Sequence, residues 1–170
     1  KSFFVGGLLT NCFEDFAACT VMFNIFGWGQ QSLLYEELEQ SGYSVDKLFA
    51  DLQFKGANQA MVSCGGVLRG SCDVEISKIV SRALERLRGR TFTAEEIALS
   101  RKKLATQLLR MGQYKTTDSA NLFWSHRFAP DPLFFQKLGK EYREVTPADV
   151  SQVAKKYLEH HHLLIVGDSE

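Results

Sequence analysis

The stretch Phe26-Gly-Trp-Gly-Gln-Gln-Ser-Leu-Leu-Tyr-Glu-Glu-Leu-Glu-Gln-Ser-Gly-Tyr-Ser-Val45 decides how this chain folds. An apolar segment runs into it, and the glycines on either side of Trp28 predict that a helix ends there. Leucines at helical spacing then predict a short amphipathic helix over residues 31–40. Gly42 ends this second helix, and from Tyr43 the pattern is that of a β-strand. The stretch therefore joins two helices to a sheet.

The segment before this stretch, residues 13–26, is apolar on nearly every face. A helix of this kind is covered on all sides and belongs to a core. Asn11 and Glu14 approximate a capping box, which predicts that the helix begins just after them. A short apolar strand is predicted ahead of the helix, at residues 3–9.

The residues after the stretch predict a β-hairpin. Apolar side chains alternate with a period of two over residues 48–54, and residues 59–67 return as the second strand. Residues 55–58 form the turn between the strands. Gly65 and Gly66 interrupt the second strand and predict a β-bulge.

Four or five helices are predicted between the hairpin and a closing strand at residues 162–166. The strongest local signal is a capping box of Thr93 with Glu96, flanked by a hydrophobic staple of Phe92 with Ile97. Three further helix starts are predicted by cap residues at Ser71 or Asp73, at Asp131 with Pro132 in the first helical position, and at Thr146.

The order of elements is strand, two helices, hairpin, four or five helices and a last strand. It predicts an α+β fold with one antiparallel sheet covered by helices, and not a doubly wound parallel sheet. The helix after Asp131 is expected to bury Leu133 along with its later apolar residues. No internal repeat or linker is visible, so one domain over residues 1–170 accounts for the chain.

The composition excludes some classes of function. Twenty basic and twenty acidic residues balance, so nothing favours a general binder of nucleic acid. No apolar run approaches the ~20 residues that span a bilayer, so no membrane span is predicted. The apolar start of the chain lacks an initiating Met and a cleavage site, and we expect the chain to be a fragment.

Metal-binding patterns are scarce. His160, His161 and His162 stand between a helix end and a strand, where we interpret them as a solvated junction. Lys156-Tyr-Leu-Glu-His160 resembles the inverted zinc motif H-x-x-E-H, but a lysine takes the place of the first ligand, and the match is a coincidence. His126 stands among aromatic residues on a helix and is expected to be packed instead of catalytic.

Nucleophilic motifs are equally scarce. No G-x-S-x-G elbow is present. Without a C-x-x-C pair, the four cysteines are interpreted as small buried thiols, and they are Cys12, Cys19, Cys64 and Cys72. Taken alone, the residues predict an α+β domain that holds no metal and has no self-sufficient catalytic site.

The opening stretch resembles the C-terminal, non-catalytic half of pitrilysin/insulinase-type zinc metallopeptidases, the inverzincins. That half has an apolar helix, a glycine-rich turn and Ser-Arg-Leu-x-x-Glu-Leu-Arg-Glu-x-x-Gly-Leu-x-Tyr. Here Gly27-Trp-Gly29 stands for the turn, and Ser32-Leu-Leu-Tyr-Glu-Glu-Leu38 and Gly42-Tyr-Ser-Val45 stand for the motif. The likeness continues in order through Thr93-Ala-Glu-Glu-Ile97, Val145-Thr-Pro-Ala-Asp-Val150, Ala154-Lys-Lys-Tyr-Leu158 and Leu164-Ile-Val-Gly-Asp168.

The resemblance implies a fold, a partner and a cofactor. Such peptidases consist of two similar α+β halves, of the type also found in LuxS and the processing peptidases, which close around an unfolded peptide. The first half binds zinc through H-x-x-E-H, with the Glu of the motif as general base. We therefore expect no cofactor in this chain, zinc in a catalytic half that is fused or separate, and a possible dimer. A bacterial periplasm or an organelle matrix is compatible with the resemblance.

In the family, the second half supplies an Arg and a Tyr that hold the substrate carbonyl and the transition state. Here Glu39 takes the place of the Arg, and a carboxylate cannot donate to an oxyanion. Tyr43 is the candidate substrate-binding residue and transition-state donor, although the segment that separates it from Glu39 is shorter than usual. The alternative for Tyr43 is an aromatic side chain at the start of a half-buried strand.

Three hypotheses for function stay open. The first is a non-catalytic half of a zinc-dependent metalloendopeptidase that helps to enclose and position a peptide. The second is a catalytically inactive interaction subunit of the same fold, like the core proteins of respiratory complexes. The third is an unrelated α+β binding module.

Overall fold

A computed structural model describes residues 2–56, 59–69, 75–111, 115–129, 131–158 and 164–167. The elements of the chain, in order, are β1 (Ser2–Thr10), α1 (Phe16–Gly27), α2 (Leu33–Gln40), β2 (Ser44–Gly56), β3 (Gln59–Arg69), α3 (Ile76–Gly89), α4 (Ala94–Met111), α5 (Lys115–Phe128), α6 (Phe134–Glu144), α7 (Pro147–Leu158) and β4 (Leu164–Gly167). Among the helices so described, none is both long enough and apolar enough to cross a membrane.

The four strands form one sheet in the order β2-β3-β1-β4, and all of its pairings are antiparallel. Cys64 on β3 lies opposite Val5 on β1 and opposite Ala50 on β2. These three side chains are buried and lie on the face of the sheet that α1 covers. The predicted α+β fold with one antiparallel sheet covered by helices is confirmed.

Helix α1 is the centre of the core, and ten of its twelve residues are buried. Its last residue, Gly27, lies so close to the sheet that a Cβ there would be 3.0 Å from both Ala50 Cβ and Cys64 Sγ. The chain then turns through Gly29, whose φ of 80° lies in the left-handed region that favours glycine. The predicted end of the helix at this glycine-flanked turn is confirmed.

The predicted start of α1 was wrong. Asn11 does not cap the helix but adopts a φ of 53°, and the helix begins at Phe16 with Asp15 in the cap position. Asp15 makes no side-chain cap hydrogen bond. Its carboxylate lies 2.6 Å from Lys156 Nζ and 2.9 Å from the Tyr157 hydroxyl, so contacts with α7 hold this side chain instead.

The predicted β-bulge at Gly65 and Gly66 was also wrong, because the pairing of β3 with both neighbours is continuous there. These glycines serve close packing instead. A Cβ at Gly65 would lie 2.7 Å from the Phe3 carbonyl oxygen and 2.8 Å from the Phe49 ring. The register shifts occur on β2, one after Val45 and the other before Gly56.

The predicted capping box at Thr93 is present, and the predicted cap at Thr146 also forms a capping box. Glu96 Oε2 accepts from the Thr93 backbone N–H at 2.9 Å, and the Glu96 N–H donates to the Thr93 hydroxyl at 3.2 Å. At the start of α7, Asp149 Oδ2 accepts from the Thr146 N–H at 2.8 Å. In both cases the two partners lie within three residues of each other.

Three local predictions differ from the structure. Asp131 does not cap α6; its carboxylate accepts from the Leu133 N–H at 2.8 Å and forms a turn before the helix. Leu133 then occupies the cap position and is 47% exposed, not buried. His126 on α5 is exposed, not packed. The predicted caps at Ser71 or Asp73, Cys72, part of the hairpin turn and the three consecutive histidines lie outside the described residues.

The Thr93–Glu96 box makes the stability of α4 depend on pH. Burial would raise the pKa of Glu96, but the Thr93 backbone N–H and the positive charge of Arg90 outweigh it and hold that pKa below its usual 4.5. Since the folded-state pKa is the lower one, the ionised carboxylate stabilises the fold above the unfolded-state pKa. This contribution is lost as the pH falls through the folded-state value.

We expect Glu96→Gln to lower the free energy of unfolding by about 1 kcal/mol at neutral pH, because the ion pair with Arg90 and the charge-assisted hydrogen bond from the Thr93 N–H are lost. The variant should also lose less stability than the wild type between about pH 5 and pH 3. Urea unfolding at each pH measures both effects. Glu95→Gln, which removes the same charge from the same helical turn, is the control and should change stability by less than about 0.5 kcal/mol. Equal effects of the two variants would contradict the prediction.

Candidate functional site

The turn between α1 and α2 sets the direction of α2. The Ser32 hydroxyl donates to the Gly29 carbonyl oxygen at 2.6 Å, and it accepts from the Tyr35 N–H at 3.4 Å. Ser32 therefore caps α2 and ties it to the left-handed residue of the turn. Leu33 and Leu34 follow at once and are buried. The predicted amphipathic helix is confirmed, with its first turn fixed by this cap.

Glu37 is a buried carboxylate on the inner face of α2, and it is only 4% exposed. Arg82 Nε of α3 lies 3.1 Å from its Oε2, and Arg86 pairs with its other oxygen. The hydrogen bond to Glu37 raises the pKa of Arg86, against the opposing effect of burial. A buried carboxylate is stable only with such partners, so this contact fixes α2 on α3.

The sequence did not predict this contact. Glu37 lies four residues after Leu33 and next to Leu38, so helical spacing places it on the apolar face of α2. Arg82 and Arg86 are four residues apart and share one face of α3. The charged residue Glu37 within the apolar face of α2 was a signal of a buried ion pair. No nearby residue in the sequence identified the partners of Glu37.

Glu39, in the place of the family's Arg, lies on the exposed side of α2. Its Oε1 accepts from the Tyr35 hydroxyl at 2.9 Å, and this hydrogen bond raises the pKa of Tyr35. The side chain of Glu39 can accept hydrogen bonds but cannot donate one at neutral pH. It therefore offers nothing to a developing oxyanion.

Tyr43 lies in the core and is 4% exposed. Its backbone N–H donates to the Leu38 carbonyl oxygen at 3.0 Å, across Gly42 with a φ of 90°. This is the hydrogen bond that closes a helix at a left-handed glycine. The structure thus places one of the two predicted site residues at the surface and the other in the core. A substrate contact by Tyr43 stays a prediction, and its burial is consistent with the alternative of a half-buried strand.

The residues that the structure describes do not fit a zinc site of the inverzincin type. Helix α1, which the resemblance aligns with the zinc helix, contains no His, Asp or Glu. Within the part of the chain that the structure describes, no three His, Cys, Asp or Glu side chains are grouped to hold a metal ion. Lys156, in the first ligand position of the near-motif, is paired with Asp15.

The described thiols are equally unsuited to nucleophilic chemistry. Cys12, Cys19 and Cys64 are buried and free. Burial raises the pKa of the Cys64 thiol to about 12 and raises that of Cys19 further. A thiol reacts as its thiolate, so these side chains are inert at neutral pH.

Solved structures with the same fold include several domains of peptidases. The inactive peptidase domain of a proposed zinc protease from Bordetella parapertussis is 17% identical, with a TM-score of 0.80 over 99% of this chain and 91% of that chain. A peptidase M16 inactive domain from Pseudomonas fluorescens is 17% identical, with a TM-score of 0.71 over 96% of this chain and 39% of that chain. A protease from Helicobacter pylori is 15% identical, with a TM-score of 0.73 over 98% of this chain and 41% of that chain.

This chain has the fold of an inactive M16 peptidase domain. At these identities the likeness establishes the fold alone. The chain spans nearly all of the Bordetella domain and about two fifths of the other two proteins. No protein-family profile matches the sequence, and no curated protein matches it.

Replacement of Glu37 and replacement of its two arginine partners should destabilise the fold by different amounts. We expect Glu37→Gln to lower the free energy of unfolding by about 1–3 kcal/mol, because a buried hydrogen-bonded charge is replaced by a poorly matched amide. The double variant Arg82→Gln, Arg86→Gln should cost more, about 3–5 kcal/mol, because it leaves the carboxylate buried and unpaired.

The matched control is Glu36→Gln, since Glu36 is the exposed neighbour of Glu37 and lies 3.6 Å from Arg86. It should change stability by less than about 0.5 kcal/mol. Urea unfolding of Glu37→Gln, of the double arginine variant and of Glu36→Gln measures how far each change lowers the free energy of unfolding. If Glu36→Gln and Glu37→Gln had the same effect, the assignment of Glu37 as the contact that fixes α2 would be wrong.

Proposed function

We propose that this chain is the non-catalytic half of a zinc-dependent metalloendopeptidase of the pitrilysin type. In this role it helps to enclose and position a peptide while a separate catalytic half binds the zinc. The observation that carries the proposal is that nearly the whole chain has the fold of inactive peptidase domains. Helix α1 in addition contains no His, Asp or Glu.

An extended peptide could be held at the edge of the sheet. Strand β2 is the first strand in the order β2-β3-β1-β4, so among the described strands it pairs only with β3. An edge strand has backbone N–H and C=O groups free to pair with an extended segment. Phe49 of this strand is 39% exposed, and its ring lies over Gly65 of β3, where it offers an apolar contact on the face of the sheet. These features suit the positioning of a peptide without any chemistry in this half.

The second candidate is a catalytically inactive interaction subunit of the same fold. The observation that favours it is Glu39, because the family's Arg would donate to the substrate and a carboxylate cannot. Under this hypothesis the same surfaces bind another subunit, and no peptide is cleaved. The two candidates differ in whether a complex of this chain with a catalytic half cleaves a peptide.

The test is reconstitution. We expect the isolated chain to bind no stoichiometric zinc and to cleave no peptide. Combined with the H-x-x-E-H half from the same polypeptide or a neighbouring gene, it should raise cleavage of an unstructured fluorogenic peptide at least about tenfold over that half alone. This increase reflects improved positioning of the substrate. A chelator, or replacement of the motif Glu by Gln in the catalytic half, should abolish the activity.

The outcomes separate the candidates. A stable complex of the two halves without peptidase activity would establish the interaction subunit instead. One tightly bound zinc per isolated chain, measured by metal analysis, would overturn the assignment of this chain as the half without a metal.

The role of Tyr43 can be tested in the same complex. Because its side chain lies in the core, we expect Tyr43→Phe to leave kcat within about twofold of the wild type. A loss of tenfold or more in kcat, with the Tm unchanged, would show that the hydroxyl reaches the substrate in the closed complex. Tyr35→Phe, which removes a hydroxyl bonded to Glu39 at the surface, is the control.

A further inference from the structure

One backbone group at the outer edge of β2 is already held by a side chain of the same strand. The Leu52 N–H donates to Asp51 Oδ1 at 2.9 Å in an exposed hydrogen bond, so this N–H points away from β3. The pairing of residues 47–54 with β3 is continuous. Because the direction of the backbone groups alternates along a strand, those of Leu48 and Ala50 also point outward.

The two faces of this segment differ in character. Ala50 is buried on the helix side of the sheet, and Leu48 and Leu52 are half-buried there. Lys47 and Asp51 are exposed on the opposite, outer face. Directly opposite residues of neighbouring strands point to the same face. A peptide residue opposite Ala50 would therefore point toward the helices, and residues opposite Asp51 and Lys47 would point outward.

On the helix side, a cavity of about 110 Å³ lies between β2, α1, α4 and α6. Ala50 and Leu52 form its wall on the sheet, and the half-buried Leu108 and Phe135 belong to its walls on the helices. The other described residues that line it are mostly aromatic or aliphatic. An apolar cavity of roughly 150 Å³ holds a benzene ring, so this smaller cavity suits a branched aliphatic side chain.

The hydroxyl groups in this cavity have partners within the protein. The Thr20 hydroxyl donates to the Phe16 carbonyl oxygen at 2.8 Å, and the Tyr142 hydroxyl is hydrogen-bonded to Thr20. Asp51 is the one charged residue among the described residues of the lining. The cavity therefore favours an apolar group, with charge recognised only at the strand.

Asp51 has no cationic partner among the described residues. Its carboxylate accepts from the Leu52 N–H and, at 2.6 Å, from Gln53 Nε2. An incoming strand must replace the carboxylate at the Leu52 N–H with a peptide carbonyl group. A basic residue opposite Asp51 compensates for this exchange with a cross-strand ion pair. Lys47 lacks an ion-pair partner in the same part of the chain and favours an acidic residue opposite it.

We infer that β2 binds an extended peptide whose sequence has the pattern basic, aliphatic, any, any, acidic. The basic residue lies opposite Asp51, the aliphatic side chain enters the cavity opposite Ala50, and the acidic residue lies opposite Lys47. This order belongs to antiparallel pairing, which is the more stable of the two directions. The inference rests on the proposed positioning of a peptide, and it names the class of sequence that this half selects.

Labelled peptides of one parent sequence test the pattern by fluorescence anisotropy with the 170-residue chain. The parent peptide contains Lys-Leu-Thr-Val-Glu, and its matched control, Glu-Leu-Thr-Val-Lys, has the same composition with the charges exchanged. We expect the parent to bind at least about tenfold more tightly, because the exchange turns two favourable cross-strand pairs into like-charge pairs. Higher ionic strength should reduce this preference.

Peptides with a changed aliphatic residue test the cavity. Replacement of the peptide Leu by Ala should weaken binding at least about fivefold, because less apolar surface is buried. Replacement by Trp should also weaken binding, because the indole exceeds the space available.

Charge variants of the chain assign the ion pairs. Asp51→Asn should reduce the preference for the parent peptide at least about threefold. Asp46→Asn removes the same charge from the same strand, but the Asp46 carboxylate is already paired with Arg69, so the preference should change less than about twofold. The double variant Lys47→Asp, Asp51→Lys should reverse the preference between the two peptides.

A variant of the cavity has a matched neighbour. Leu108→Phe narrows the cavity and should weaken binding of the parent peptide at least about threefold. Leu109→Phe makes the same change at a side chain that is 73% exposed and should leave binding within about twofold. The peptide series with the wild type decides the inference even where Leu108→Phe does not fold.

Pairing at the edge has a readout of its own. On binding of the parent peptide, amide hydrogen exchange at Leu48, Ala50 and Leu52 should slow at least about tenfold, because these N–H groups enter a ladder. Exchange at Phe49 and Asp51, whose N–H groups point toward β3, should change less.

The outcomes separate this inference from the proposed function. A preference for the parent peptide that Asp51→Asn reduces and the double variant reverses would support the inference. Equal or reversed binding of the two peptides by the wild type, no binding at millimolar concentration, or unchanged exchange at the three amides would overturn it. Selective binding without a gain of cleavage in the reconstituted complex would overturn only the peptidase role. A gain of cleavage equal for both peptides would overturn only the inference.

Discussion

The close approach of α1 to the sheet at Gly27 is the constraint on which the rest of the structure depends. The backbone of the helix comes within reach of Ala50 on β2 and Cys64 on β3, where no side chain of its own fits without displacing theirs. Cores have the density of organic crystals, so such a contact fixes the height of the helix over the sheet. The remaining apolar side chains of α1 then face α3, α4, α6 and α7, which surround it.

This position also determines what the chain can do. The resemblance aligns α1 with the helix that binds zinc in the catalytic half, but here that helix is filled with core residues. A carboxylate or imidazole placed on it would have to be buried among apolar neighbours, which is unfavourable without a partner. A metal ligand on this helix would therefore weaken the core.

The parts of the fold that sequence analysis predicted well are those decided by neighbours in the chain. Thr93 and Glu96 satisfy each other's hydrogen-bonding groups within one helical turn, so the pattern of these two residues was enough to predict the start of α4. Asn11 and Glu14 show nearly the same pattern, but Asp15 is held by Lys156, 141 residues away, and the helix starts later. A local pattern cannot reveal a competing contact of this kind.

In the candidate site, too, local sequence predicted some features and only the packed structure revealed the others. Leucines at helical spacing predicted α2, and the preference of glycine for the left-handed conformation predicted that the helix ends at Gly42. The partners of Glu37 lie 45 and 49 positions further along the chain, so only the packed structure identifies them. A glycine within a strand can mark either a β-bulge or a close approach of neighbouring atoms, and the sequence led to the prediction of a bulge at Gly65. The cross-strand neighbours Phe3 and Phe49 show that close packing is the reason for this glycine.

Strand β2 has a consequence for how copies of this chain behave toward one another. It runs for thirteen residues at the edge of the described sheet, and a long flat edge is a template for pairing between molecules and for aggregation. The two register shifts bend this strand near both of its ends, and the charges of Lys47 and Asp51 lie on it between them. A second copy would find only a short matching segment. The edge is thus poorly suited to self-assembly of the chain into continuous sheets.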